Sequence, residues 1–199
     1  MKPNPRYPEL FTLLKENAAD WFQPWEGDCS RLQVIDYPSE KNILDGMGAF
    51  HRGGRLNFKE GFPVVYGSLS EETALKESGA YAKKFNFVVR TPRILVVIGL
   101  QLHRVLDLRE AVTRRKLSLT LKELGSEDWE VLQEKGFESL GQALGRAAVT
   151  AGAEAVIVPS FAHRGGFNVA FFPKNLASKS SVKVHEGEKL PQSKKGKGK

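Results

Sequence analysis

Apolar residues recur at helical spacing from Pro8 to Trp21, where Leu10, Leu13, Leu14, Ala18 and Trp21 share one side and Pro8 sits near the start. The spacing predicts an N-terminal helix over about 8–21. An aromatic knot of Trp21, Phe22, Pro24 and Trp25 follows. Arg31 to Tyr37 reads as a strand that Pro38 ends. Residues 38–61 carry many Gly, Asn and charged residues and read as a long loop, a feature that in a compact domain usually serves function. Phe62 to Tyr66 reads as a second strand. Ser68 to Phe85 reads as a helix with Ser70 as N-cap, Glu71 and Glu72 in its first turn, and an inward stripe of Leu75, Ala82 and Phe85 flanked by Ala74.

The second half opens on Arg93 to Leu100, a nearly continuous apolar run and therefore a central strand, with a further short strand at Val105 to Leu108. Residues 110–135 are charged and helical in spacing, with Trp129 and Leu132 as inward anchors. Glu138 to Ala151 is a helix of small residues closed by Gly152. Ala155 to Val158 and Asn168 to Phe172 are two more strands, joined by a turn over Pro159 to Phe167. Strands and helices neither alternate strictly nor segregate, and no repeat is present. The pattern predicts an α+β fold with a mostly antiparallel or split sheet.

Composition narrows the class. A chain of 199 residues with 41% hydrophobic and 27% charged residues fits one soluble globular domain. It has no run of about 18 apolar residues, so no membrane span is expected. The start, MKPNPRYPEL, lacks the apolar core of a signal peptide. Cys29 is the single cysteine, which excludes a disulfide framework and a cysteine-rich metal site and makes a reducing, cytoplasmic setting the expectation. The net charge of +7 is mostly terminal: from Lys174 onward eight lysines face two glutamates, leaving +1 for residues 1–173. Residues 174–199 are polar and poor in large apolar groups, and are expected to form a disordered basic tail after a folded domain over 1–173. Such a tail can touch nucleic acid nonspecifically, but the nearly neutral body argues against a nucleic-acid-binding module.

No phosphate-binding glycine motif and no nucleophile elbow are present. His51, His103, His163 and His185 are scattered without a ligand spacing, so no metal site is expected. What stands out is a set of polar residues at the ends of apolar strands: Arg31, Arg55 on a glycine loop, Tyr66, Glu77 on the following helix, Ser160 and Asn168. Taken singly, each reads as a surface charge, a core ring or a turn cap.

Their order is informative. GGRLN at 53–57, VVYGSLSEETALKE at 64–77, RVLDL at 104–108, VPS at 158–160 and FNVAFFP at 167–173, preceded by Arg31, resemble the RES domain family, named for its arginine, glutamate and serine. The resemblance runs from about Trp21 to Pro173. The chain departs from the family pattern at Leu56, where a tryptophan usually follows the loop arginine. That position either lines the pocket or belongs to the core. The stretch 109–150 is also long compared with the compact toxin members.

The resemblance implies a split sheet like that of diphtheria-toxin-type ADP-ribosyltransferases, closed around NAD⁺ as substrate, with no further cofactor. It implies cleavage of the nicotinamide–ribose bond. Inorganic phosphate or water would be the acceptor, or a protein in the alternative of an ADP-ribosyltransferase. A separately encoded antitoxin is a possible partner. On that reading Arg31, Glu77 and Ser160 are the catalytic residues, and Arg31, Gly54, Arg55, Tyr66 and Asn168 bind NAD⁺. An arginine fork suits the pyrophosphate. Glycine lets backbone approach phosphate, and a tyrosine ring stacks on nicotinamide or ribose. A carboxylate offsets the positive charge that grows on the ribose as the bond breaks.

Overall fold

The computed structural model describes residues 1–35, 39–84 and 92–191. Its first half runs α1 (Tyr7–Glu16), α2 (Ala18–Trp21), β1 (Phe22–Val34), α3 (Glu40–Leu44), α4 (Met47–Arg52), β2 (Val65–Ser68) and α5 (Glu71–Lys84). The second half runs β3 (Arg93–Asp107), α6 (Ala111–Lys116), α7 (Leu121–Ser126), α8 (Trp129–Glu134), α9 (Leu140–Thr150), β4 (Ala155–Pro159), β5 (Phe167–Phe171) and β6 (Ser181–Val184). The fold is α+β, as the pattern predicts. No helix of the described residues is long and apolar enough to cross a membrane.

β3 is the central strand. One of its edges pairs along its length with β1, antiparallel, and the other carries β6 at Ile98–Gln101 and β4 at Val105–Asp107. β4 pairs with β5 and β5 with β2, both antiparallel, so β3–β4 is the one parallel contact among these strands. β2 returns to β1 through a single pair, Ser30 with Ser68, so the sheet closes on itself at a narrow seam. Both faces of β4 and β5 are covered. Val156, Val158, Ala170 and Phe172 pack with α1 and α9, while Ala155, Ile157, Val169 and Phe171 pack with Cys29, Ile98 and Leu100 on the other side. This two-sided burial is why these strands read as unbroken apolar runs rather than alternating ones.

Several boundaries move for identifiable reasons. The N-terminal helix breaks at Asn17. The aromatic knot is the start of β1, and the chain bulges between Gln23 and Trp25 because Pro24 has no N–H to give the ladder. The second strand sits later than Phe62–Tyr66, at Val65–Ser68, and Val105–Leu108 continues β3. The long loop holds two short helices. Residues 110–135 form three helices rather than one, anchored by buried Leu117, Leu119 and Leu124, while Trp129 and Leu132 are only half-buried. In α5, Ser70 caps as expected, accepting from Thr73 N at 3.2 Å. Leu75, however, is exposed, and the helix turns Thr73 and Ala74 inward. The expected Tyr37 and Phe85 positions lie outside the described residues.

The largest correction concerns the C-terminus. Residues 174–191 are not a free tail. Val182 and Val184, spaced by two, form β6, and Val184 is fully buried. The buried carboxylate of Glu154 accepts from His103 N, Ala177 N and Ser180 Oγ, tying the segment to β3. High mean polarity concealed this short alternation. Residues 192–199, with four of the eight lysines, lie outside the described residues.

Leu56 is 2% exposed and packs in the cluster of Leu10, Leu144 and Phe172, which decides between pocket wall and core in favour of core. Leu56→Trp should therefore overpack and lower stability by about 1–3 kcal/mol, read as a lower melting temperature with unchanged ligand affinity.

Candidate active site

The GGRLN loop is shaped by close approaches on two sides. Gly53 has φ of 82°, in the left-handed region, and a Cβ there would lie 2.9 Å from Gln133 Nε2. Gly54 is buried under Tyr66, whose hydroxyl oxygen would be 2.7 Å from an added Cβ. That hydroxyl accepts from Leu56 N at 2.9 Å and donates to Asn57 Oδ1 at 2.8 Å. On the opposite side the loop lies directly on α9. A Cβ on Gly141 would be 2.5 Å from Arg55 O, and one on Gly145 would be 2.7 Å from the Leu56 carbonyl carbon. Between them buried Gln142 donates to Gly54 O and Asn57 O at 3.2 and 3.3 Å. The small-residue helix is therefore the seat of the arginine loop.

Arg55 is presented from this seat. Its Nη1 donates to Leu124 O at 3.0 Å, and its guanidinium lies 4.7 Å from the Phe161 ring centroid. Burial lowers its pKa below the ordinary arginine value, and the charge of nearby Glu77 is the first of the groups that pull it back.

Glu77 is the centre of a directed hydrogen-bond network. Ser160 Oγ donates to its Oε1 at 2.7 Å, and Asn168 Nδ2 donates to the same oxygen at 2.5 Å. Ser160 Oγ itself accepts from Ala162 N and His163 N. Ser68, the register partner of Asn168 across β2–β5, donates to Asn168 Oδ1 at 2.7 Å and so turns the amide nitrogen toward the carboxylate. Every proton in the chain points toward Glu77, and both bonds land on one oxygen. The loop that carries Ser160 is pinned to α5, one turn before Glu77, by His163 Nδ1 at 2.9 Å from buried Thr73 Oγ1.

Arg31 sits beside the β1–β2 seam. Its Nη1 donates to Tyr66 O at 2.7 Å, bridging the strands next to their single pair. Burial lowers its pKa, and neighbouring Arg52 adds to that. Tyr66 in turn lies close to Arg55, whose charge also feels Glu77, so Arg31 connects to the Glu77 network through Tyr66 and Arg55. A cleft of about 400 Å³ opens next to Arg31 and Tyr66, between α4 and α8.

Arg31, Arg55, Tyr66, Glu77, Ser160 and Asn168 thus gather from β1, the loop, β2, α5 and β4–β5. Gly54 departs from expectation: its N–H goes to Asn57 O at 2.7 Å and its carbonyl to Gln142, so it serves the loop and offers nothing to a phosphate, while Gly53 reaches the cleft. The Tyr66 hydroxyl is likewise committed, and burial raises its pKa well above the ordinary value, so it stays protonated. Burial pushes Cys29 up to about 12, which makes it a packing group rather than a nucleophile. Sequence reasoning missed Ser68, Thr73, His163, Gln133, Gln142 and Phe161. Of these, only the serine–threonine spacing at 70–73 and the glycines around Gln142 left a local trace.

Known proteins can now be set beside this geometry. No curated protein matches the chain. The fold is similar to the crystal structure of the M. tuberculosis MbcT–MbcA toxin–antitoxin complex, with a TM-score of 0.66 and 19% identity over 92% of this chain and 91% of that one. The model of the RES domain matches residues 29–192, which takes in Arg31, the arginine loop, Glu77, Ser160, Asn168 and the C-terminal strand. The chain belongs to the RES domain family.

Proposed function

We propose that the chain cleaves the nicotinamide–ribose bond of NAD⁺ and passes the ADP-ribosyl group to inorganic phosphate. The observation that carries this reading is the Glu77 carboxylate, oriented through one oxygen by Ser160 and Asn168, while among the described residues no hydrogen bond goes to the other. In the reaction the C1″–N bond breaks and its electron pair leaves with nicotinamide, which departs neutral. Positive charge grows on the ribose ring, where a fixed carboxylate stabilises it and accepts from the 2″-hydroxyl. A phosphate oxygen then forms the new bond at C1″, giving ADP-ribose 1″-phosphate. Because Ser160 and Asn168 are already oriented, little reorganisation is needed as charge develops. Arg31 and Arg55 supply guanidinium groups for the phosphates.

MbcT–MbcA is a toxin–antitoxin complex, and a separately encoded antitoxin is the partner we extend to this chain from it. The acceptor is tested by incubating the purified chain with NAD⁺ in buffers with and without phosphate and identifying products by mass spectrometry. Phosphate-dependent ADP-ribose 1″-phosphate is the expected result. Free ADP-ribose at the same rate in both buffers would make water the acceptor, and a mass increase on added protein would make it a protein transferase.

The arginine roles have their own test. Lysine keeps the charge at 55, but it cannot both donate to Leu124 O and lie flat on Phe161. Arg55→Lys and Arg31→Lys are each expected to lower kcat/KM for NAD⁺ by about tenfold or more, from the lost charge-assisted bonds. Full rescue by lysine at both positions would remove the two guanidinium groups from phosphate binding.

A further inference from the structure

The cleft between α4 and α8 shares Arg31 and Tyr66 with the candidate site, but none of the Glu77 network's residues lines it. It combines three chemistries. Arg31 and Arg52 bring guanidinium groups, Trp129 brings an aromatic wall, and Glu134 with its α8 neighbour Glu130 brings carboxylates. On the α4 side, a Cβ on Gly48 would meet nothing within 4 Å, so the cleft reaches the helix backbone there. The α8 wall is held in place. Gln133 donates to Arg52 O at 3.1 Å and accepts from Lys59 N at 2.8 Å and from Gln142 Nε2 at 3.2 Å. Trp129 is therefore fixed relative to the same loop that carries Arg55.

A guanidinium pair suits a phosphate, an indole face suits a flat base, and a carboxylate accepts from sugar hydroxyls. Phosphate, flat ring and diol together describe a nucleotide. We propose that this cleft holds the adenosine monophosphate half of the dinucleotide, with Trp129 as the base-stacking wall. Glu134 accepts from the adenosine ribose hydroxyls and repels a phosphate at the 2′ position, so the site selects NAD⁺ over its 2′-phosphorylated form. The assignment rests on the NAD⁺-cleaving reading and gives the segment 121–134 a role in substrate selection.

The test is isothermal titration of the full chain with AMP and, separately, with adenosine 2′,5′-bisphosphate. Wild type should bind AMP, and the bisphosphate at least about tenfold more weakly through like-charge repulsion. Trp129→Ala should weaken AMP by about tenfold or more, with Trp129→Phe recovering most of the loss. Gly48→Leu, which fills the cleft from the other wall, should abolish AMP binding, and Glu134→Gln should narrow the gap between the two ligands. No AMP binding by wild type, or wild-type AMP affinity in both Trp129→Ala and Gly48→Leu, would overturn the assignment. If Trp129→Ala melts early, Trp129→Phe and Gly48→Leu decide. NAD⁺ cleavage without AMP binding would leave the reaction standing and remove the subsite. AMP binding without NAD⁺ cleavage would do the reverse.

Discussion

Glu77→Gln should yield a folded protein that has lost NAD⁺ turnover by about 10²-fold or more. The amide keeps the size of the side chain, and its oxygen still accepts from Ser160 and Asn168, so the network on that side survives. What disappears is the negative charge, together with the second acceptor oxygen, which becomes an N–H donor. A group that acts on charge developing in the transition state should affect kcat more than KM. The measurement is a kinetic comparison alongside thermal melting. An unchanged melting temperature with a collapsed kcat is the expected pair, whereas wild-type kcat would remove Glu77 from the mechanism.

The second large effect is expected at Gly145. Alanine in place of glycine within a helix usually stabilises by up to about 1 kcal/mol. Gly145→Ala should do the opposite, because the new Cβ would fall inside the van der Waals radius of the Leu56 carbonyl oxygen and 2.7 Å from its carbon. Both are backbone atoms, which cannot swing aside like a side chain, so the loop must lift from α9. Overpacking of this kind costs about 1–3 kcal/mol. Allowing for the helix-propensity gain, a net loss of about 1 kcal/mol is expected, or about 2–4 °C in melting temperature. Turnover should fall as well, since Arg55 moves with the loop. Gly79→Ala is the control: it is also helical, in α5, but nothing lies within 4 Å of its added Cβ, so it should stabilise slightly. A Gly145→Ala protein at least as stable as wild type would show that the loop does not rest on α9 in solution.

What was legible in the sequence followed from local burial. AVIV and NVAFF announce themselves as strands because both of their faces are packed. Ser70 announces a helix start because the cap is made within three residues. The extent of β1 was hidden by Pro24, because proline is normally excluded from a strand ladder but here sits in a bulge. The C-terminal strand was hidden by its brevity, with two valines supplying all its inward contacts. The site was least legible. Glu77 lies 83 residues from Ser160 and 91 from Asn168, and no periodicity connects groups that far apart. Their grouping was readable only through the resemblance to RES domains. The same holds for the glycines of α9, whose spacing suggests a weak helix and whose purpose becomes visible once the arginine loop is seen lying on them.

The central claim is the breaking of one bond, and it is tested most directly by following free nicotinamide by liquid chromatography. Purified wild-type chain and Glu77→Gln would each be incubated with NAD⁺. The account predicts stoichiometric release of nicotinamide by wild type, with release about 10²-fold slower or undetectable in the variant. Intact NAD⁺ after prolonged incubation with folded wild-type protein in phosphate buffer, or equal release by both proteins, would contradict it.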